Sequence, residues 1–228
     1  VVGSSVAWRH FDGEAATRAA PGLVPLNGGF CGLRANQSAF VTDWLLDRLP
    51  SVRGVLMIAS PQDFSECRSR PAAVFNRVDA DSYVFDRAWS LPFYLRYLDP
   101  RPFLRNIRTV AAQRRNDVPL DPLVFDRFGD GPLDTEVVRD TLLYGAVPSY
   151  DPACFAALRD MARRVEAGGR RLMVVSTPLH PDWKALHDPD GRSRAAFAAV
   201  GLATVQSDGA LDDFQPGIDF FSELNAAG

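Results

Sequence analysis

Lysine is almost missing from this chain. Lys184 is the single lysine, and the rest of the 25 Lys and Arg residues are arginine. That leaves no GxxxxGK phosphate loop and no second lysine for a Ser-Lys pair or a Schiff base. Cysteine is sparse: Cys31, Cys67 and Cys154 are widely spaced, with no CxxC. Such a set fits neither a full disulfide framework nor a zinc site. A Cys31–Cys67 bridge is the pairing considered for an exported protein. The three histidines, His10, His180 and His187, lack HExxH spacing, so neither a metal centre nor another cofactor is expected. There is no apolar run near the ~20 residues that a membrane helix needs. There is no basic excess either: a net charge of -3 and a pI near 5.6 argue against a nucleic-acid partner.

What is present suffices for a core. Hydrophobic residues make up 46% and charged residues 23% of 228 residues, which suits one α/β domain with an elaboration. Short apolar runs read as buried parallel strands: Val1-Val2, Leu23 to Leu26, Val55 to Ala59, Leu172 to Val175 and, more weakly, Leu202 to Val205. The first begins abruptly and without Met, so an upstream segment is expected to precede it. Between the runs lie amphipathic stretches. Gln37 to Leu49 places Phe40, Val41, Trp44, Leu45 and Leu49 on one helical face. Phe155, Leu158, Ala162 and Val165 repeat the pattern, with Asp151 as N-cap, Pro152 in the first turn and Gly168-Gly169 as the stop. Alternating strands and helices predict a three-layer α/β fold, a parallel sheet of four or five strands with helices on both faces.

Residues 64–150 interrupt the rhythm, with Trp89, Phe93, Tyr94, Tyr97 and Phe103 and helical pieces expected near 85–98, 101–116 and 134–143. So long an excursion is more than a loop. It is read as a helical insertion over the carboxyl edge of the sheet, serving as a cap or a substrate-shaping lid.

Each strand run ends in a polar or glycine-containing turn: Ser5 after the first, Gly29 or Gly32 after the second, Gln62 and Asp63 after the third, His180 after the fourth. Open parallel sheets bind ligands at that edge. Acyl transfer by serine needs a nucleophile, a base and donors for the developing oxyanion. The N–H groups of Ser5 and Gly32 and the amide of Gln62 are candidate donors.

These turns resemble the sequence blocks of the SGNH/GDSL hydrolase superfamily, nearest to its cell-surface branch of D-alanyl transfer and alginate O-acetylation proteins. Gly3-Ser4-Ser5 matches the first block and Asn27-Gly28-Gly29-Phe30-Cys31-Gly32 the second. Ser60-Pro61-Gln62-Asp63 occupies the third, and the closing Asp219 to Gly228 is similar to the last. The resemblance implies a flavodoxin-like sheet, Ser5 as nucleophile, Gly32 and Gln62 as oxyanion donors, and a glycan or other acyl ester as substrate in a cell-envelope setting. Membrane attachment is then expected only through an upstream segment. Two positions depart from the pattern. Gln62 stands where the family has asparagine, and Glu223 precedes Leu224-Asn225 where the catalytic histidine belongs. His180, Asp219 and Glu223 are therefore the candidate partners of Ser5. The competing expectation is a catalytically degenerate domain that binds a glycan or a protein partner.

Overall fold

A computed structural model describes residues 1–115, 125–131, 147, 149–177, 181–198 and 204–206. They divide into two compact units, one of residues 1–74 with the described residues from 125 onward, the other within 75–124.

The larger unit is an α/β structure. Its elements are β1 (Val2–Gly3), α1 (Ser5–His10), α2 (Gly13–Ala19), α3 (Ala35–Arg48) and β2 (Gly54–Ala59). After the smaller unit come α7 (Pro152–Ala167), β3 (Arg171–Ser176), α8 (Pro181–His187), α9 (Arg192–Ala198) and β4 (Thr204–Gln206). Every strand pairing among the described residues is parallel, in the order β1-β2-β3-β4. The strand expected at Leu23 to Leu26 is not a regular strand. Its end is nonetheless laced to β1: Val1 N donates to Leu26 O (2.6 Å), Gly28 N to Val1 O (2.8 Å) and Phe30 N to Gly3 O (3.2 Å). Bonds from one residue to positions either side of its opposite number are the parallel pattern.

The central strand shows why this sequence makes a covered sheet. Successive strand residues point to opposite faces, and both faces of β2 are apolar. Val55, Met57 and Ala59 join a core with Ala35 and Ala39 of α3 and Leu158, Met161 and Val165 of α7. Leu56 and Ile58 join a second core with Val6 and Ala7 of α1 and Ala16 of α2. Helices thus lie against both faces. α7 starts and stops as its sequence predicts: Asp151 Oδ1 accepts from Ala153 N (2.9 Å), and Gly168 is the C-cap.

Cys67 is bridged to Cys154, not to Cys31, which is free and exposed. Residues 60–67 lead from the end of β2 to α7, so the pairing follows the spatial neighbours rather than the nearest cysteine in sequence.

The smaller unit contains α4 (Arg77–Val84), α5 (Leu91–Tyr97) and α6 (Pro100–Arg115). The single helix expected over 85–98 is broken, because Arg87 adopts a left-handed φ of 52° that ends a right-handed helix. The helical piece near 134–143 lies outside the described residues. Residues 64–74, which carry Cys67, belong with the sheet.

Candidate active site

Three turns meet at the carboxyl edge of the sheet, and each is held by identifiable bonds. The first is Gly3-Ser4-Ser5. Gly3 has φ +144°, and a Cβ there would stand 2.2 Å from Ile58 O of β2 and 2.8 Å from the Ala7 side chain. Only glycine allows so close an approach. This lets the chain leave β1 and enter α1 at once, with Ser5 as its first residue.

The two serines have different surroundings. Ser4 occupies the N-cap position, but its hydroxyl does not cap the helix. It is 4% exposed and donates to Asp63 Oδ2 at 3.1 Å. Ser5 is half-buried, and its hydroxyl forms no hydrogen bond among the described residues. The adjacent serines are thus divided between an anchoring residue and an accessible one.

Asp63 is the centre of the second turn, Ser60-Pro61-Gln62-Asp63. It forms a capping box with Ser60: Ser60 N donates to Asp63 Oδ2 at 2.9 Å, and the Ser60 side chain accepts from the Asp63 backbone. This is the Ser-x-x-acid device that satisfies N–H groups at a helix start. Asp63 is 3% exposed. Burial raises its pKa to about 6, against the opposing pull of bonds from Ser60 and Ser4 and the charge of Arg34. Arg34 ties this turn to the second block. Its guanidinium donates to Gln62 O (2.8 Å) and to Glu66 (3.0 Å).

The third turn runs from Asn27 to Gly32. Asn27 is buried, and its amide donates to Ala7 O (2.9 Å) and to Asp130 Oδ1 (2.7 Å), while its carbonyl accepts from Gly29 N (2.9 Å). Asp130 also takes Gly13 N (2.6 Å), and burial raises its pKa. The N–H groups of Gly28, Gly29 and Phe30 are all engaged. That of Gly32, at φ +77° in an exposed turn, has no acceptor among the described residues. Between Gly29 and Gly32, Gly32 is the one with a donor to offer.

Ser5, Gly32 and Gln62 are therefore carried on turns bonded to one another, by Phe30 to Gly3, by Ser4 to Asp63 and by Arg34 to Gln62. His180, Asp219 and Glu223 lie outside the described residues. His10 ends α1 and is exposed, and His187 packs on the Trp183 ring. Neither bonds to Ser5. Among the described residues there is no group of His, Cys, Asp and Glu able to hold a metal ion, and no helix long and apolar enough to cross a membrane.

Sequence reasoning missed the part played by Ser4, Asp63, Asn27 and Asp130. Ser60-x-x-Asp63 carries a readable signal, its capping-box spacing. The Asn27–Asp130 bond spans 103 residues and has no local signature. No family model, curated protein or solved structure matches the chain.

Proposed function

We propose that the chain is a serine-dependent esterase or O-acyltransferase of SGNH-like architecture, with Ser5 as nucleophile. The observation that carries the reading is the division of labour in Gly3-Ser4-Ser5. The buried Ser4–Asp63 bond fixes the turn and leaves the Ser5 hydroxyl as the one directed at chemistry. Ser5 Oγ attacks the acyl carbonyl, and the N–H groups of Ser5 and Gly32 with the Gln62 amide receive the oxyanion. Collapse expels the alcohol, which leaves with the proton taken from Ser5. Water or an acceptor hydroxyl then removes the acyl group. A serine hydroxyl needs a base for this, and His180, which follows β3 in the sequence, is the residue assigned that role, with Asp219 and Glu223 as the acidic candidates. The Cys67–Cys154 bridge supports a cell-envelope setting, since disulfides persist in oxidising compartments. An acylated envelope glycan is the substrate class that goes with this setting and with the resemblance of the sequence blocks.

The test is labelling by a fluorophosphonate probe, together with turnover of aryl acetates and acetylated glycans. Wild type should label and turn over; Ser5→Ala should do neither, and His180→Ala should lose turnover. Absence of Ser5-dependent labelling and turnover overturns the enzyme reading. It would favour the second one, a binding domain, for which Glu223 in the expected histidine position is the specific sign.

A further inference from the structure

From residue 75 to 115 no described side chain is buried. A group of helices with no buried apolar side chain has little to hold it together in water. Something must cover the apolar surface that it shows.

The pattern on α6 says what kind of surface that is. The helix reads Pro-Arg-Pro-Phe-Leu-Arg-Asn-Ile-Arg-Thr-Val-Ala-Ala-Gln-Arg-Arg. At ~100° per residue, Phe103, Leu104, Ile107 and Val110 form one stripe, and each is exposed, at 53%, 54%, 48% and 37%. Arg101, Arg105 and Arg108 lie on the side turned away from it. In the last turn the separation ends, with Arg114 in line with the stripe and Arg115 at its edge. There is no acidic residue in the helix, although the whole chain has a net charge of -3. Asp99 caps its start, accepting from Arg101 N at 3.0 Å. The turn and the helix α5 before it expose Trp89 (72%), Tyr94 (62%) and Tyr97 (58%), amphipathic rings of the kind enriched where membrane meets water.

We propose that α6 docks the protein on an anionic lipid surface. The Phe103–Val110 stripe enters the headgroup boundary, and the arginines on the other side engage lipid phosphates. A short basic amphipathic helix with large apolar residues on one face is the form that lies in the plane of a bilayer. Arginine suits it further, because its planar guanidinium meets phosphate with two bonds. This attachment needs no segment upstream of Val1, and it does not depend on the chemistry of Ser5.

The molecule carries its own reporter. Trp8, Trp44 and Trp183 are 2%, 8% and 5% exposed, so Trp89 is the tryptophan that solvent changes would move. The experiment mixes the purified chain with vesicles of phosphatidylcholine alone, or with phosphatidylglycerol added at one part in three. Co-sedimentation and tryptophan emission are read together. Expected is binding to the mixed vesicles only, with a blue-shifted Trp89 shielded from acrylamide, and release by high salt as screening shortens. Arg101→Gln, Arg105→Gln and Arg108→Gln combined should weaken binding on the order of 100-fold, about fivefold for each arginine near an anionic surface. Ile107→Asp should abolish it, and Ser5→Ala should leave it unchanged. The triple arginine variant keeps the apolar stripe, so it decides the matter even if Ile107→Asp unfolds the helix. No binding, equal binding to neutral vesicles, or wild-type binding by the α6 variants would each overturn the proposal. So would a stable dimer or a complex with an acidic protein that shields Trp89 while vesicles do not.

Discussion

Asp63→Asn is expected to make the protein more stable at neutral pH, although Asp63 sits in a network of hydrogen bonds. The carboxyl is buried, and burial holds its pKa at about 6 rather than 3.8. A folded-state pKa above the unfolded one means that the folded chain binds the proton more tightly. The group's contribution is therefore fully present below about pH 4 and is lost as pH rises through about 6. With a shift of about 2 units at ~1.4 kcal/mol each, the ionised carboxylate costs about 3 kcal/mol at pH 8 relative to the neutral acid. An asparagine is neutral throughout, and its carbonyl can accept from Ser4 Oγ and Ser60 N as Asp63 does. Urea unfolding of both proteins from pH 4 to pH 8 measures the difference. Taking the difference cancels the titration of Asp130, whose pKa is raised in the same sense. The variant should come close to wild type near pH 4 and exceed it by about 3 kcal/mol at pH 8, with most of the change between about pH 4 and pH 6. A pH-independent difference, or a variant that is weaker at pH 8, would refute the argument that desolvation dominates at this site.

Gly3→Ala should destabilise the fold by about 3 kcal/mol or more, because its Cβ would meet the backbone carbonyl of Ile58 at 2.2 Å; a thermal melt followed by circular dichroism reads the loss. Replacing Cys67 and Cys154 together by alanine should cost about 4–5 kcal/mol, the loop-closure value expected for a separation of 87 residues. In the same denaturant titration Cys31→Ser should stay within ~0.5 kcal/mol of wild type, as an exposed free thiol.

Much of the fold was legible because its signals are local. Buried parallel strands appear as unbroken apolar runs, and Val55 to Ala59 and Leu172 to Val175 fall within β2 and β3. α7 announced itself through Asp151, Pro152 and Gly168, whose chemistry acts within one turn. The break at Arg87 was not legible, since arginine carries no turn preference and a left-handed φ there is set by its surroundings. Cysteine pairing stayed open for a related reason. Spacing does not encode which loops become neighbours, and Cys67 lies beside a helix that begins far along the chain. At the candidate site, Gly3-Ser4-Ser5 and Ser60-Pro61-Gln62-Asp63 were readable as turns. Which serine is buried depends on Asp63, 59 positions away. The order of burial is a property of the folded sheet edge and not of either turn alone.

The Cys67–Cys154 bridge closes a covalent ring, and the whole of the smaller unit lies inside it. A protease that nicks the chain anywhere within 75–124 opens the ring without separating its halves. The product runs as one molecule until it is reduced, then as two fragments. Each half keeps part of the sheet, with β1 and β2 on one and β3 and β4 on the other. The ring thus makes the smaller unit a removable appendage: it can be cut, shortened or exchanged while the sheet-bearing segments remain joined across Cys67 and Cys154.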